Sequence, residues 1–210
     1  MMAWDGEALR ARLTAHTVAP DPRDIDWPTA ETERSRGWRQ EQARKARIAA
    51  VLVAFVRNEA GGCDVVLTQR AAHLAHHPSQ ISFPGGAAEP GDAGLAGTAL
   101  REAEEEVALP ASSVEVIGFL RPHWAISGYA MTPVIGYVSE PVSLKADPGE
   151  VGDIFRVPAS FLLDASNYRR SLREFKGVEW PTMELIWQDR RIWGVTAQVI
   201  SNLEKILKTE

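Results

Sequence analysis

The stretch Arg101-Glu102-Ala103-Glu104-Glu105-Glu106-Val107-Ala108-Leu109, entered through Phe83-Pro84-Gly85-Gly86 and the loop 87–94, decides how the rest of the chain is read. Residues 95–109 are predicted to form a helix that ends at Pro110. On a wheel of about 100° per residue with Glu102 at zero, Glu105 falls at about −60° and Glu106 at about +40°. Ala96, Ala99, Leu100, Ala103 and Val107 fill the adjoining arc, from about +60° to about +160°. Glu104 points away, at about 200°. The helix therefore has an apolar side and a carboxylate side, with Arg101 beside the latter. Crowded carboxylates repel, and a hard divalent cation with oxygen ligands offsets that. Mg²⁺ is typically held by a few carboxylates plus substrate phosphates. Taken alone, an acidic run of this kind reads as a solvated face. The glycine-rich entry changes the reading, because Gly85 and Gly86 let backbone come close to a ligand.

Outward from this stretch, strands and helices are mixed, without regular βαβ alternation or internal repeats. Ile48–Val56 is a β-branched and alanine-rich run that reads as a buried strand. Asn58-Glu59-Ala60-Gly61-Gly62 is a turn signal, and Cys63–Thr68 completes a hairpin. Residues 71–80 are polar and irregular, and Ile81-Ser82-Phe83 is a short strand. Downstream, Val114–Leu120, Met131–Val138 and Gly152–Val157 read as strands and Ala159–Leu163 as a short helix. Trp187 and Ile192-Trp193 flank a late hairpin around Asp189-Arg190, and Thr196–Leu207 is a closing amphipathic helix. Residues 1–45 differ. A short helix over Glu7–Leu13 and a charged one over Glu31–Lys45 flank Pro20, Pro22 and Pro28, which break regular structure. We read 1–45 as an N-terminal extension packed on a domain that spans 46–210.

The chain has 210 residues and a net charge of −5. That suits one globular domain with some extension. A negative balance argues against a nucleic-acid partner. It does not argue against a phosphorylated substrate, since a bound cation reverses the sign locally. The single cysteine, Cys63, cannot form an internal disulfide, which suits a reducing compartment. No apolar run reaches the roughly 18 residues of a membrane helix, and no basic-then-apolar leader opens the chain. A cytoplasmic protein without membrane contact is expected, and a homodimer is compatible with it.

Gly86 to Leu109 resembles the Nudix box: Gly, five residues, Glu, seven residues, Arg-Glu, an apolar residue, any residue, Glu-Glu, any residue, Gly, apolar. Arg101 to Leu109 match its end, with Ala108 in place of Gly. Asp92 stands where Glu is usual, and eight residues rather than seven separate it from Arg101. Leu67-Thr68-Gln69-Arg70-Ala71, twelve positions before Phe83-Pro84-Gly85-Gly86, is similar to the signature of the coenzyme A diphosphatase branch. Gly128–Gly136 and Ile192–Ala197 also look like that branch. The branch's Arg and Gly between these motifs are Ala75 and Ser79 here.

The resemblance implies an α/β protein with the Nudix fold, an α/β/α sandwich around a mixed β-sheet. It implies hydrolysis of a diphosphate bond in a nucleoside diphosphate derivative, with Mg²⁺ or Mn²⁺ on Glu102, Glu105 and Glu106. In the branch, the substrate is coenzyme A or its thioesters, and the products are 3′,5′-adenosine bisphosphate and 4′-phosphopantetheine. Two other readings stay open: a diphosphatase of a dinucleotide or nucleotide sugar, and a Nudix-fold module that binds a nucleotide without cleaving it.

One carboxylate must take a proton from the attacking water. Glu102 and Glu150 are both candidates, the second because the family often supplies a carboxylate from a downstream loop. Arg101 is expected to orient a neighbouring carboxylate by a bidentate pair. Arg70 either touches phosphate or makes a surface salt bridge, and Gly85 and Gly86 line the substrate. His73, His76 and His77 sit at spacings that could share one face of a helix; a zinc site needs three or four ligands, and with Cys63 the only thiol and His123 distant in sequence, they read as a non-metal loop near the substrate. Trp124 and Tyr129 either stack on an adenine or pack. Trp187 and Trp193 read as core, and Cys63 as a small buried hydrophobe. Sequences for a serine hydrolase elbow, a P-loop or a Rossmann turn do not occur.

Overall fold

The computed structural model describes residues 4–27, 33–75, 77–175 and 178–208, with the side chains of 33, 34 and 173–181 outside it. His76, Pro28 and the start of the expected second helix, Glu31 and Thr32, lie outside the described residues.

Strand β1, Arg47–Arg57, is the axis of the molecule. Its residues from Ala49 to Val56 are buried on both faces. A run of Val, Leu, Ala and Phe suits a strand covered on both sides. β1 folds back antiparallel onto β2, Cys63–Arg70, through the turn at 58–62, with Phe55 opposite Val65. On its other edge it runs parallel to β7, Tyr129–Val138, from Arg47↔Tyr129 to Val56↔Val138. β3 (Ile81–Ser82) and β8 (Val151–Pro158) pair with β2, β5 (Glu115–Phe119) and β6 (His123–Ala125) pair with β7, and β4 (Gly85–Ala87) pairs with β1. All pairings but β1–β7 are antiparallel, so the sheet is mixed. A second, three-stranded antiparallel sheet contains β9 (Arg169–Phe175), β10 (Val178–Trp187) and β11 (Arg190–Trp193).

The pleat divides β1 between two cores. Ala50, Leu52, Ala54 and Val56 meet helix α3, Gly94–Val107, through Ala99, Ala103 and Val107. Alanine on both sides of that contact lets the helix lie close to the sheet. Val51, Val53 and Phe55 face the other core, with α1 (Gly6–Arg12), α4 (Ala159–Leu162) and α5 (Val195–Lys208). Helices thus cover both faces, which is the expected α/β sandwich.

From the N-terminal segment, Trp4, Leu9 and Leu13 enter the core that holds Val51, Val53 and Phe55. Leu9 and Leu13 are fully buried. Asp5 caps α1 by accepting from the Ala8 N–H at 2.9 Å, and Arg10 pairs with Glu115. Arg12 Nη1 donates to the Leu207 carbonyl at 2.7 Å. Further on, Asp26 bridges to His123, and Asn202 Nδ2 donates to its carboxylate at 2.6 Å. Helix α2 is Glu33–Lys45.

Most predicted elements appear within two residues of their expected ends, including the Asp189-Arg190 hairpin, where Trp187 lies opposite Arg190. Three strands were not expected. Gly85-Gly86-Ala87, read as the start of a loop, is β4. His123–Ala125 is β6. Arg169–Phe175 is β9, whose charged run gives no apolar alternation.

Candidate active site

The C-terminal half of α3 lies against β4, and the first candidate residues meet there. Gly85 has φ +154, and a side chain on it would stand 2.4 Å from the Ala50 carbonyl oxygen and 2.5 Å from Val51 Cα. Only glycine allows that approach. Its N–H then reaches Glu106 Oε2 at 3.2 Å. Gly86 comes equally close to the helix, since a Cβ there would meet the Glu102 carboxylate at 2.4 Å. Two glycines therefore bring backbone directly against two of the three carboxylates.

The three carboxylates have different surroundings. Glu105 is exposed, and Arg101 Nη1 donates to it at 2.8 Å. Glu102 is half-buried and accepts from Arg101 Nη2 at 3.0 Å. Burial raises its pKa above the ordinary value, against the pull of Arg101. Glu106 is 5% exposed, deeper than a helix wheel suggests, because β4 covers it. Burial pushes its carboxyl up to about 7, the Gly85 N–H opposes this, and the charges of Glu102 and Glu150 add to it.

Arg101 is the hub. Its Nε donates to Asp92 Oδ1 at 2.8 Å and its Nη2 to Asp92 Oδ2 at 3.3 Å, the expected bidentate pair. It also donates to the Ala87 carbonyl at 3.0 Å. Asp92 accepts from Thr98 Oγ1 and the Glu89 N–H, both at 2.8 Å. This cage holds the Asp92 carboxyl well below the usual carboxylate range, chiefly through Arg101. The shorter Asp side chain and the extra residue of the loop still bring the carboxylate to Arg101. Ala108, in the box's glycine position, ends α3 with φ 52, and Ser79, in the branch's glycine position, has φ 58. Both turns keep the left-handed backbone that glycine favours, at a cost of roughly 1 kcal/mol each.

Glu150 belongs to this neighbourhood although it lies far along the chain. Its charge acts on both Glu102 and Glu106. Its turn hangs on the end of α3, where the Asp147 N–H donates to the Glu106 carbonyl at 3.0 Å. Arg70, at the end of β2, is near enough to Glu106 to oppose its raised pKa. Among the described residues, Arg70 has no ion-pair partner. The role of Asp92 as the anchor of Arg101, and the depth of Glu106, went unread in the sequence. The first was signalled by Asp92 standing five residues after Gly86; the second had no local signal.

Among the described residues, no three Asp, Glu, His or Cys side chains close on one point; Arg101 spans Glu102 and Glu105 instead. The donor set nevertheless suits a hard divalent cation. Glu106 is a buried carboxylate with one N–H bond and no cation within ion-pair distance among the described residues, and a buried charge in that state is costly. Trp124 packs with Trp27 and Trp38, at ring separations of 5.7 and 5.3 Å. Arg47 covers Tyr129 at 4.6 Å. Trp187 packs on Phe161 at 4.7 Å. Cys63 is buried, and burial pushes its thiol up to about 11, as for an inert small hydrophobe. No helix among the described residues is long and apolar enough to cross a membrane.

Residues 46–202 match the family model described as the NUDIX domain. A relative named "Uncharacterized Nudix hydrolase NudL", from Enterobacter sp. (strain 638), is 40% identical over 157 residues, covering 75% of this chain and 81% of the relative. Its namesake from Shigella boydii serotype 4 (strain Sb227) is 41% identical over 158 residues, with the same shares covered. Among solved structures, the Nudix hydrolase RenU from M. smegmatis aligns with a TM-score of 0.47 at 24% identity, over 55% of this chain and 72% of that one. Nudix hydrolases act on phosphoric anhydrides and generally use divalent metal ions. With the box on α3, the glycine strand against it and a family match over three quarters of its length, the chain belongs to the Nudix hydrolase family.

Proposed function

We propose that the protein hydrolyses the diphosphate of coenzyme A or its thioesters, using Mg²⁺ or Mn²⁺ held by Glu102, Glu105 and Glu106. The products are 3′,5′-adenosine bisphosphate and (acyl-)4′-phosphopantetheine. The observation that carries this reading is the meeting of the branch signature with the carboxylates: Arg70 and Gly85, from its two ends, both act on Glu106. When bound, the cation neutralises the diphosphate and acidifies a coordinated water.

The chain's own residues do the rest. Arg70 offers a guanidinium fork to a phosphate oxygen. Gly85 and Gly86 keep side chains away from that face. Arg101 holds Glu102 and Glu105 while Asp92 holds Arg101. Water attacks phosphorus, the P–O bond to the second phosphate breaks, and the proton passes to Glu102 or Glu150. Glu150 has the freer carboxylate of the two, since Glu102 is engaged by Arg101.

A second reading, a diphosphatase of dinucleotides or nucleotide sugars, is favoured by one observation. Ala75 is exposed on the loop after β2, where the branch places an Arg. A missing charged contact is worth on the order of 1.5–3 kcal/mol, about ten- to hundredfold in affinity. The test is a panel of coenzyme A, dinucleotides and sugar nucleotides incubated with Mg²⁺, with products identified by mass. Coenzyme A is expected to be cleaved, and Ala75→Arg to lower its KM with kcat unchanged. Efficient cleavage of a dinucleotide with coenzyme A untouched removes the branch assignment.

A further inference from the structure

Between β7 and β8 the chain makes a turn that ends at Glu150. It starts on α3: the Lys145 N–H donates to the Val107 carbonyl at 2.9 Å and the Asp147 N–H to that of Glu106 at 3.0 Å. Within it, the Gly149 N–H donates to Asp147 Oδ1 at 2.9 Å. The Glu150 and Val151 N–H groups donate to the Asp147 carbonyl at 3.1 and 2.8 Å. The other side of the turn rests on the segment after β2. The Ala71 N–H donates to the Glu150 carbonyl at 2.8 Å, and His73 Nε2 stands 3.2 Å from the Gly149 carbonyl oxygen. A carbonyl can only accept, so Nε2 carries the hydrogen and donates. The backbone of Glu150 is thus fixed from both sides while its carboxylate remains exposed.

We propose that His73 is a positioning residue: its Nε2–H bond to the Gly149 carbonyl fixes the turn that presents Glu150 to the reaction. This rests on the diphosphatase reading above and on the part it gives Glu150. The described residues of the segment 71–80 form no helix or strand of their own. Among the described residues, a side-chain bond across 76 positions ties it to the turn, beside the backbone bond from Ala71. The effect of His73 passes through the turn.

Three variants separate this role from mere filling of space. His73→Gln keeps an N–H donor near the place of Nε2, His73→Asn holds its donor about one bond short, and His73→Ala removes it. The first readout needs no metal: amide hydrogen exchange at Glu150 and Val151. Loss of one net hydrogen bond should speed exchange about five- to tenfold in the Ala and Asn variants, with recovery in Gln. The second is turnover of coenzyme A with Mg²⁺, or of whichever diphosphate in the panel the wild type cleaves. His73→Ala should lower kcat about five- to tenfold with KM unchanged, and should cost nothing further in a Glu150→Gln background. Unchanged exchange in His73→Ala overturns the proposal whatever the activity. Losses that multiply with Glu150→Gln overturn it too, as does a Glu150→Gln enzyme with wild-type kcat. If the wild type cleaves no diphosphate, the reading of the reaction fails instead, and exchange alone still decides whether His73 holds the turn.

Discussion

Replacing Glu106 by Gln should make the metal-free protein more stable at pH 8 while destroying its activity. Glu106 is buried under β4 with one N–H bond, and its carboxyl is pushed up to about 7 from an ordinary 4.5. The folded state therefore holds this proton where the unfolded chain has released it. Below about pH 4.5 both states are protonated and there is no penalty. The penalty grows as pH rises and is complete above about pH 7. A difference of about 2.5 pH units is worth about 3 kcal/mol. Gln keeps the acceptor for the Gly85 N–H and carries no charge. At about 2–4 °C per kcal/mol for a chain of this size, its melting temperature in chelator at pH 8 should exceed that of wild type by about 6–12 °C. At pH 4.5 the two should melt together. With Mg²⁺ the order should reverse, because only the wild type gains from the cation. Turnover of the variant should fall roughly 10²–10⁴-fold. A melting difference that is the same at both pH values, or a Gln variant less stable than wild type in chelator at pH 8, would refute the reasoning from burial.

Other perturbations separate structure from chemistry. Gly85→Ala drives a Cβ into the backbone of Ala50 and Val51; a loss of more than about 2 kcal/mol is expected in urea unfolding. Gly86→Ala meets only the movable end of Glu102, so it should fold normally and lose activity; wild-type turnover would show that Glu102 is not needed where it stands. Ala108→Gly relieves a left-handed alanine at the end of α3, and should raise the melting temperature by about 2–4 °C, roughly 1 kcal/mol. His123, the first residue of β6, is buried beside the Asp26 segment, and burial pushes its pKa down to about 4. The unfolded chain takes up that proton first, so stability should fall as pH drops from about 6.5 towards 4. His123→Phe should flatten this dependence in urea titrations; an unchanged slope would assign the acid sensitivity to other groups.

The sequence was most legible where one local pattern has one physical solution. Ile48–Val56 has no polar residue and must be buried on both faces, which makes it the axis of a sheet. The wheel of α3 separated Ala99, Ala103 and Val107 from Glu102 and Glu106, and the first three pack in the core against Ala50, Leu52, Ala54 and Val56 of β1. Pairings across distance were not legible. Nothing local says that β1 runs parallel to β7 in that register, or that Gly85–Ala87 is a strand; β4 forms because Gly85 lets it approach β1 while Gly86 lets it lie against Glu102 of α3. Arg169–Phe175 is a strand by virtue of its partner β10 rather than its own pattern. The same holds in the site. The carboxylates, Arg101, Arg70 and both glycines lie within two motifs and could be named. The burial of Glu106 is set by β4, and the grip of His73 on Gly149 by the meeting of two loops. Such contacts depend on the closed fold, and their residues carry no mark in the chain.

The central claim is that these carboxylates support attack of water at phosphorus of a coenzyme A-like diphosphate. The most direct measurement is hydrolysis of coenzyme A by the wild type in ¹⁸O-enriched water with Mg²⁺, with both products weighed by mass spectrometry and a parallel reaction in chelator. One ¹⁸O atom should appear on a phosphate of either 3′,5′-adenosine bisphosphate or 4′-phosphopantetheine, and the chelator reaction should yield neither product. Label on carbon, cleavage at any other bond, or undiminished turnover in chelator would contradict the account.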